Sequence, residues 1–471
     1  MNAPAPHESR RLACDLLIVG AGPAGMAAAL VAEEAGLSVI VADEGAGPGG
    51  QIYRNCLSQS REINTVLGQD YQKGRALAAP FAKAPVGYLS RTTVFMLEPH
   101  PGGGALAALS DATTGTAQLC AARFVLIATG ALERPFPIEG WTLPGVMTAG
   151  AGQTMLKAGG FVPEGPLVLA GTGPLLLLLA AQYLRVGVKV SAILETTPRG
   201  NLAAAARHLP GFLFSRYALK GAALLAEVRR KTRIIWGVNH LAAEGEGRLQ
   251  SVVFRRRGRE QRIAASQLLL HQGVVPQVNL SMSAGVRHLW NDQRLAFEPM
   301  LTPNFETDVS GIYIAGDTGG IGGAEAAEAS GTLAALAICR RMERALPHHR
   351  AAEARAHSEL SGALRGRAFL DRLYRPADPY RKPADDVIVC RCEEVTAGQI
   401  RALGARGAQG PNQAKAFSRA GMGPCQARLC GLTVCEMLAE VHGVSPGEIG
   451  YMRIRAPVKP VTVAEMASLG D

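Results

Sequence analysis

One stretch constrains this chain more than any other. Asp15-Leu-Leu-Ile-Val-Gly-Ala-Gly-Pro-Ala-Gly25 runs from an apolar strand through three glycines into the alanine-rich helix Met26-Ala-Ala-Ala-Leu30. The spacing G-x-G-x-x-G at that junction is the geometry of a dinucleotide cradle. Gly20 takes the tight turn, Gly22 lets the backbone approach a pyrophosphate, and Gly25 lets the helix pack on the strand. The helix N-terminus, at Pro23 and Ala24, faces the phosphates. A glycine motif alone says little, but here a second apolar strand, Ser38-Val-Ile-Val-Ala42, ends in Asp43-Glu44. A ribose-binding acid belongs there, about twenty residues after the turn.

A chain of 471 residues, 48% of them hydrophobic, exceeds what one core serves, so two or three domains of a soluble α/β enzyme are expected. The net charge of +10 gathers in Arg229-Arg230-Lys231 and Arg255-Arg256-Arg257. No aromatic residues are interleaved with these runs, which argues for solvated faces and against nucleic acid, with acidic partners or anionic lipid left open. Two apolar runs imitate membrane segments. Leu12 to Ala32, behind Arg10-Arg11, superficially resembles a twin-arginine export signal, and Leu167 to Leu184 is long enough to span. Both carry glycine turns where a strand would become a helix, so no transmembrane span is expected. Four of the nine cysteines stand alone and the rest gather near the C-terminus, a pattern that suits a reducing cytoplasm.

In chain order, Met1 to Arg11 reads as a loose polar tail, and the cradle follows. Gly45-Ala-Gly-Pro-Gly49-Gly50-Gln51-Ile-Tyr-Arg54 is either a surface turn or a loop passing close to a flavin's ribityl and phosphate groups, with Gln51 and Arg54 as donors. Thr92 to Leu97 has the look of a strand, and Pro99 to Gly104 that of a turn into a β-meander. Phe124 to Ala128 is a buried strand whose end, Thr129-Gly130, lets backbone run against a cofactor. A second cradle occupies Leu167-Val-Leu-Ala-Gly171-Thr-Gly173-Pro-Leu-Leu176, followed by a strand ending at Glu195. Its third glycine is replaced by Leu176, which pushes helix from strand and narrows a phosphate site. Its occupant stays open between NAD(H), another adenine nucleotide and nothing. His271, alone beside an apolar strand, reads as structural, and Cys14, Cys120 and Cys339 as small buried side chains.

From Ala351 to Pro383 the composition shifts to Arg, Ala and Pro, marking a linker or strap. Then Cys390-x-Cys392 and Cys425-x4-Cys430 supply four thiolates for one metal centre. The C-x-C bite suits a cluster of two irons, with zinc as the rival, and Cys435 reads as core.

The cradle, Gly49-Gly50, Ala128-Thr129-Gly130 and Gly311-Ile-Tyr-Ile-Ala-Gly316-Asp317 together resemble the two-dinucleotide-domain flavoproteins of the glutathione-reductase type. In that family the aspartate matching Asp317 binds the ribityl chain of FAD, and the following helix, here from near Gly323, points its positive end at the flavin ring. Without the resemblance Asp317 is only a capping residue. The redox cysteine pair of the family's disulfide reductases is missing, since Cys56 stands alone. The segment Val389 to Cys430 resembles the [2Fe-2S] domain of the bacterioferritin-associated ferredoxin type. The chain as a whole, including Leu270-His-Gln-Gly-Val-Val-Pro276 and Arg453-Ile-Arg-Ala-Pro-Val-Lys-Pro460, resembles the flavoprotein subunit of bacterial multi-subunit amine dehydrogenases. That group includes the A subunits of octopine and nopaline oxidases, the α subunit of D-hydroxyproline dehydrogenase and the B subunit of hydrogen cyanide synthase.

The resemblance implies an α/β fold with two Rossmann-like dinucleotide-binding domains, the second inserted in the first, plus a small C-terminal α-rich [2Fe-2S] domain. The FAD-binding domain is expected at 12–140 and 266–345, the NAD(P)-like insertion at 141–265, a linker at 346–384, and the cluster domain with its tail at 385–471. It further implies FAD, the cluster and an FMN at a subunit interface. The implied partners are a quinone-like acceptor, a small third subunit and the amine-oxidising flavoprotein β subunit. The expected place is the cytoplasm, peripheral to the inner membrane. Lys415 and Arg419 would raise the cluster's potential or simply form a solvated helix face. The alternatives are a free-standing NAD(P)H-dependent reductase and a non-catalytic assembly subunit. No general base is assigned.

Overall fold

The computed structural model describes residues 11–469. The stretch 1–10, most of the expected tail, lies outside them. Arg11 does not belong to a tail: it opens the strand Arg11–Val19 and is in register with Leu119.

The first sheet is organised around Arg11–Val19. It runs parallel to Val39–Ala42 on one side and to the long strand Thr116–Ile127 on the other, with Ile312–Ile314 parallel beyond it. Leu16, Leu17 and Ile18 are fully buried, the unbroken apolar run of a parallel strand covered on both faces. On one face lie the cradle helix Pro23–Glu34 and the late helix Ala324–Arg341. They approach backbone to backbone, since a Cβ on Gly331 would stand 2.1 Å from Ala24 O. The expected meander is present as Thr92–Pro99, Ala105–Asp111 and Thr116–Ile127, all antiparallel.

The second unit has a parallel sheet in the order Ile234–Trp236, Val190–Glu195, Leu167–Thr172, Gln267–Gln272, Val146–Thr148. The expected boundary at 265/266 therefore shifts. Gln267–Gln272 is an inner strand of this second sheet, and the chain re-enters the first unit through Val274–Pro276, paired antiparallel with Ala131–Glu133. The apolar run 167–184 divides into a strand and the helix Pro174–Arg185, and among the described residues no helix is long and apolar enough to cross a membrane. The basic runs have local reasons. Arg229-Arg230-Lys231 closes the helix Arg216–Lys231, where cations complement the helix dipole, and Arg255 faces Glu260 across a hairpin.

The region 346–384 is more ordered than a linker. It forms the helices His349–Leu364 and Arg367–Leu373, with Phe369 stacked on Phe212 at 4.4 Å. Tyr380 then enters the second unit's core edge-on to Phe136, and buried Arg381 pairs with buried Glu436 of the cluster domain. That domain holds the hairpin Ile388–Cys390/Val395–Thr396 and the helices Ala397–Ala405, Pro411–Ser418, Gly431–His442 and Pro446–Ile449. It shares one hydrophobic core with the second face of the first sheet, and the tail helix Val463–Ala467 returns to the long strand Thr116–Ile127.

Candidate functional site

In the first cradle glycine is required by space. A Cβ at Gly25 would lie 1.8 Å from Gly20 O, and one at Gly20 would lie 2.5 Å from Ala128 O. Above Gly22 the nearest atom to such a Cβ is Gly50 Cα at 4.0 Å, and Gly50 itself has φ 58°. The two glycine backbones thus pack against each other at the N-terminus of the cradle helix, where a Cβ on Gly50 would stand 2.9 Å from Gly22 Cα. The Gly49-Gly50 loop is docked rather than a free surface turn, because Gly49 N donates to Ala21 O at 2.8 Å.

The two acids after the second strand have separate fates. Asp43 accepts from Ala21 N and Gly45 N, both at 2.7 Å, and so closes the cradle, whereas Glu44 turns away to Lys459 of the tail. On the far side Gly130 N donates to Thr318 Oγ1 at 2.6 Å, with Thr129 Oγ1 3.3 Å from the same oxygen. Asp317 Oδ1 accepts from Gly322 N and Gly323 N at 2.8 and 2.9 Å, which aims the late helix's N-terminus across this space. Gly316, at φ 70°, is held by Ser330.

The loop after Gly50 is gripped by the second unit. Lys157 Nζ donates to Gln51 O at 3.1 Å and Gln153 Oε1 at 2.9 Å, Gln59 donates to Lys157 O, and Asn55 to Ala158 O. Lys157 is 3% exposed, and burial, helped by nearby Arg54, pushes it down to about 7. Arg54 reaches Gln51 Oε1 at 3.1 Å while its buried Nε has no partner in the structure. Cys56 is buried, its thiol raised by desolvation.

In the second cradle Gly171 packs against His271, where a Cβ would stand 1.7 Å from its carbonyl oxygen. Leu176 is buried at the third position, where the first cradle has no room for a side chain. His271 is not alone: its Nδ1 lies 2.8 Å from Glu133 Oε1, and Glu133 Oε2 accepts from Gly150 N at 2.9 Å. The pair ties Gln267–Gln272 of the second sheet to Ala131–Glu133. Buried Glu195, with its acid raised by desolvation, turns in to Thr197.

The four cysteines come from a tight turn and a loop. Cys390 ends its strand, Cys392 follows in the turn, and Cys430 stands at the N-cap of Gly431–His442, where hydrogen bonding to Cys390 and Cys425, together with burial, raises its thiol. Gly423 is obligatory beside them, since a Cβ there would meet Cys392 Cβ at 2.3 Å. Between Cys425 and Cys430, Gln426 and Ala427 both take left-handed backbone, φ 49° and 65°. The thiols are neighbours in series, Cys392 beside Cys425, and Cys430 facing both Cys425 and Cys390. Hydrogen bonding to Cys430 draws Cys390 down to about 6 and Cys425 to about 5. Among the described residues no three His, Cys, Asp or Glu side chains converge as a cage for a single ion. Cys435 faces the carbonyls of Pro446 and Gly450 and is core, as expected. Arg419 is tied to Glu393 at 2.8 Å, so part of its charge is already answered.

Sequence reasoning missed Thr318, Lys157, Glu133 and Asn279. The last donates from Nδ2 to Gln426 O at 2.8 Å.

The sequence profile of the Pyridine nucleotide-disulphide oxidoreductase family matches residues 14–331, and that of the BFD-like [2Fe-2S] binding domain matches residues 388–440. The chain is 47% identical to the A subunit of opine oxidase from Agrobacterium tumefaciens (strain Ach5), covering 97% of this chain and 92% of that protein. It is 32% identical to the HcnB subunit of hydrogen cyanide synthase from Pseudomonas protegens (strain DSM 19095 / LMG 27888 / CFBP 6595 / CHA0), covering 94% and 96%. Among solved structures it resembles L-proline dehydrogenase from P. horikoshii, with TM-score 0.70, 18% identity and coverage of 97% and 80%. T. acidophilum thioredoxin reductase follows at TM-score 0.52 and 20% identity, covering 70% of this chain and 99% of that one. At these identities the two structures speak to the fold.

Proposed function

Because this chain belongs to the pyridine nucleotide-disulphide oxidoreductase family, and within it to the group of opine oxidase A subunits and HcnB subunits, we propose that it relays electrons. It is the flavin and [2Fe-2S] subunit of a multi-subunit amine dehydrogenase. A partner flavoprotein oxidises the carbon–nitrogen bond of an amino acid or opine, and this subunit passes the electrons on to a quinone-like acceptor. FAD takes up two electrons and releases them singly, which suits a cluster that carries one at a time.

The residues have defined tasks in this reading. Gly20, Gly22, Pro23, Ala24, Gly25 and Gly50 seat the pyrophosphate, Asp43 orients the ribose, and Thr129, Gly130, Gly316 and Asp317 lie along the ribityl chain, with Gln51 and Arg54 near the ring. Cys390, Cys392, Cys425 and Cys430 hold the cluster. Cys392 is exposed and Cys425 half-exposed, so the acceptor approaches there. The same reading includes an FMN at the interface with the partner, an adenine nucleotide or NAD(H) at Gly171 and Gly173, a small third subunit, and a place beside the inner membrane.

The observation that supports the relay most directly is the core shared between the first sheet and the cysteine-bearing domain, which joins the two in one packed body. The second cradle gives the free-standing reductase reading its foothold. Stopped-flow mixing separates the two. Rapid bleaching of the flavin by NADH in the purified chain would sink the relay, whereas bleaching by an opine or amino acid only with a co-expressed partner is the expected result. Iron and sulfide analysis of the same preparation checks the cluster.

A further inference from the structure

Two tethers join the cysteine loop to the flavin unit, and they land at different ends of the dinucleotide site. In the first, Arg428 donates to Cys425 O at 3.3 Å and Val458 O at 2.9 Å, and the neighbouring Lys459 pairs with Glu44. That tether ends beside the ribose acid Asp43, where the bound group carries no redox chemistry. The second begins at Gly130, whose N–H is held by Thr318, next to Asp317 and the late helix's N-terminus. Gly130 O accepts from Gln277 N at 3.0 Å. Two residues on, Asn279, 1% exposed, donates from Nδ2 to Gln426 O at 2.8 Å, and Gln426 is bonded to Cys425.

The acceptor of that bond is the strained part of the loop. Gln426 and Ala427 are consecutive non-glycine residues in left-handed backbone, a conformation that persists only where surroundings enforce it. Gln426 Nε2 reaches Gly423 O at 3.1 Å from within the loop, and Asn279 supplies the hold from the flavin unit. We propose that Asn279 is a positioning residue for electron transfer: it fixes the Gln426-Ala427 turn, and with it Cys425, against the ribityl end of the flavin site, completing the path Gly130–Gln277–Asn279–Gln426–Cys425. With FAD and the cluster bound, the flavin would supply electrons singly and the cluster would take up one at a time, while Asn279 and Gln426 would set where Cys425 holds it. The inference rests on the relay reading.

The test uses the full chain with both cofactors and three proteins: wild type, Asn279→Leu, which keeps size and burial but has no donor, and Trp141→Phe. The last removes a different bond between the units, Trp141 Nε1 to Ile388 O at 2.7 Å. The flavin is photoreduced with EDTA as donor and bleaching of the cluster is followed. Separately, the cluster is reduced with dithionite, its electron paramagnetic resonance spectrum taken and its midpoint potential titrated. In Asn279→Leu, flavin, iron and sulfide contents are expected to stay at wild-type levels while transfer slows roughly 10- to 100-fold and both spectrum and potential shift. Trp141→Phe is expected to match wild type. Wild-type rate, spectrum and potential in Asn279→Leu, or equal slowing in Trp141→Phe, overturns the inference and leaves the relay standing. Absence of flavin-to-cluster transfer in the wild type overturns the relay instead, and the dithionite-reduced spectra still decide whether Asn279 places the turn.

Discussion

The first and second cradles are the same strand–turn–helix device with one decisive difference, and the molecule treats them differently because of it. Where the first has Gly25 in contact with Gly20 O, the second has the buried side chain of Leu176. The lesson is that the third glycine sets how closely the helix packs on its strand, while the first makes the turn and the second lets backbone approach a phosphate. The strongest way to break this comparison is to move the second cradle's residue into the first. Gly25→Leu is expected to abolish flavin binding and prevent the first unit from folding, read as colourless, aggregated protein; a yellow, soluble variant would refute the argument.

The reciprocal change is milder. Leu176→Ala should cost about 2 to 4 kcal/mol through the cavity it leaves, measured as a lowered thermal midpoint. It should also strengthen binding of ADP or NAD to the second unit by calorimetry. Unchanged affinity would mean that Leu176 does not set the difference.

A third test concerns the grip of the second unit on the first cradle's loop. Burial favours the neutral amine of Lys157, so above pH 7 and up to lysine's usual range the unfolded chain binds more protons than the folded one. Stability should therefore rise with pH across that window, by up to about 1.4 kcal/mol per unit, and be least helped below pH 7. Lys157→Met should flatten the dependence of the thermal midpoint between pH 7 and 9, and parallel profiles for the two proteins would count against the assignment. The smallest effect is expected at the cradle's outer acid. Glu44→Gln removes an exposed pair with Lys459 worth about 0.2 to 1 kcal/mol and should leave flavin content intact, whereas Asp43→Asn should lower it. Equal flavin loss in both would erase the distinction drawn between the two acids.

Both strand–turn–helix units, the grouping of the C-terminal cysteines and the meander were legible because each is written in neighbouring residues, where spacing and local geometry are one thing. The boundary after 265 was misplaced for the opposite reason. Gln267–Gln272 is as apolar as any strand of either sheet, and only its partners, Leu167–Thr172 and Val146–Thr148, say where it belongs. The same holds for single residues. His271 finds Glu133 138 positions away, Asn279 finds Gln426 147 positions away, and Lys157 meets Gln51 106 positions away, separations that leave no periodic trace. The strap resisted for another reason, since its Arg- and Ala-rich helices draw order from a few anchors, Phe369, Tyr380 and Arg381, set among polar residues.

The returning tail has a consequence for how the protein comes into being. Ser110 is bonded to Glu465, made 355 residues later, and the patch of Phe95, Ala108 and Ala117 is covered by Val461 and Leu469. On the ribosome the meander therefore emerges with an apolar side that nothing nearby can cover until translation has passed through the inserted unit, the strap and the cluster domain. A nascent chain in that condition is a client for chaperones, and its yield should depend on elongation speed more than that of a protein whose domains close one at a time.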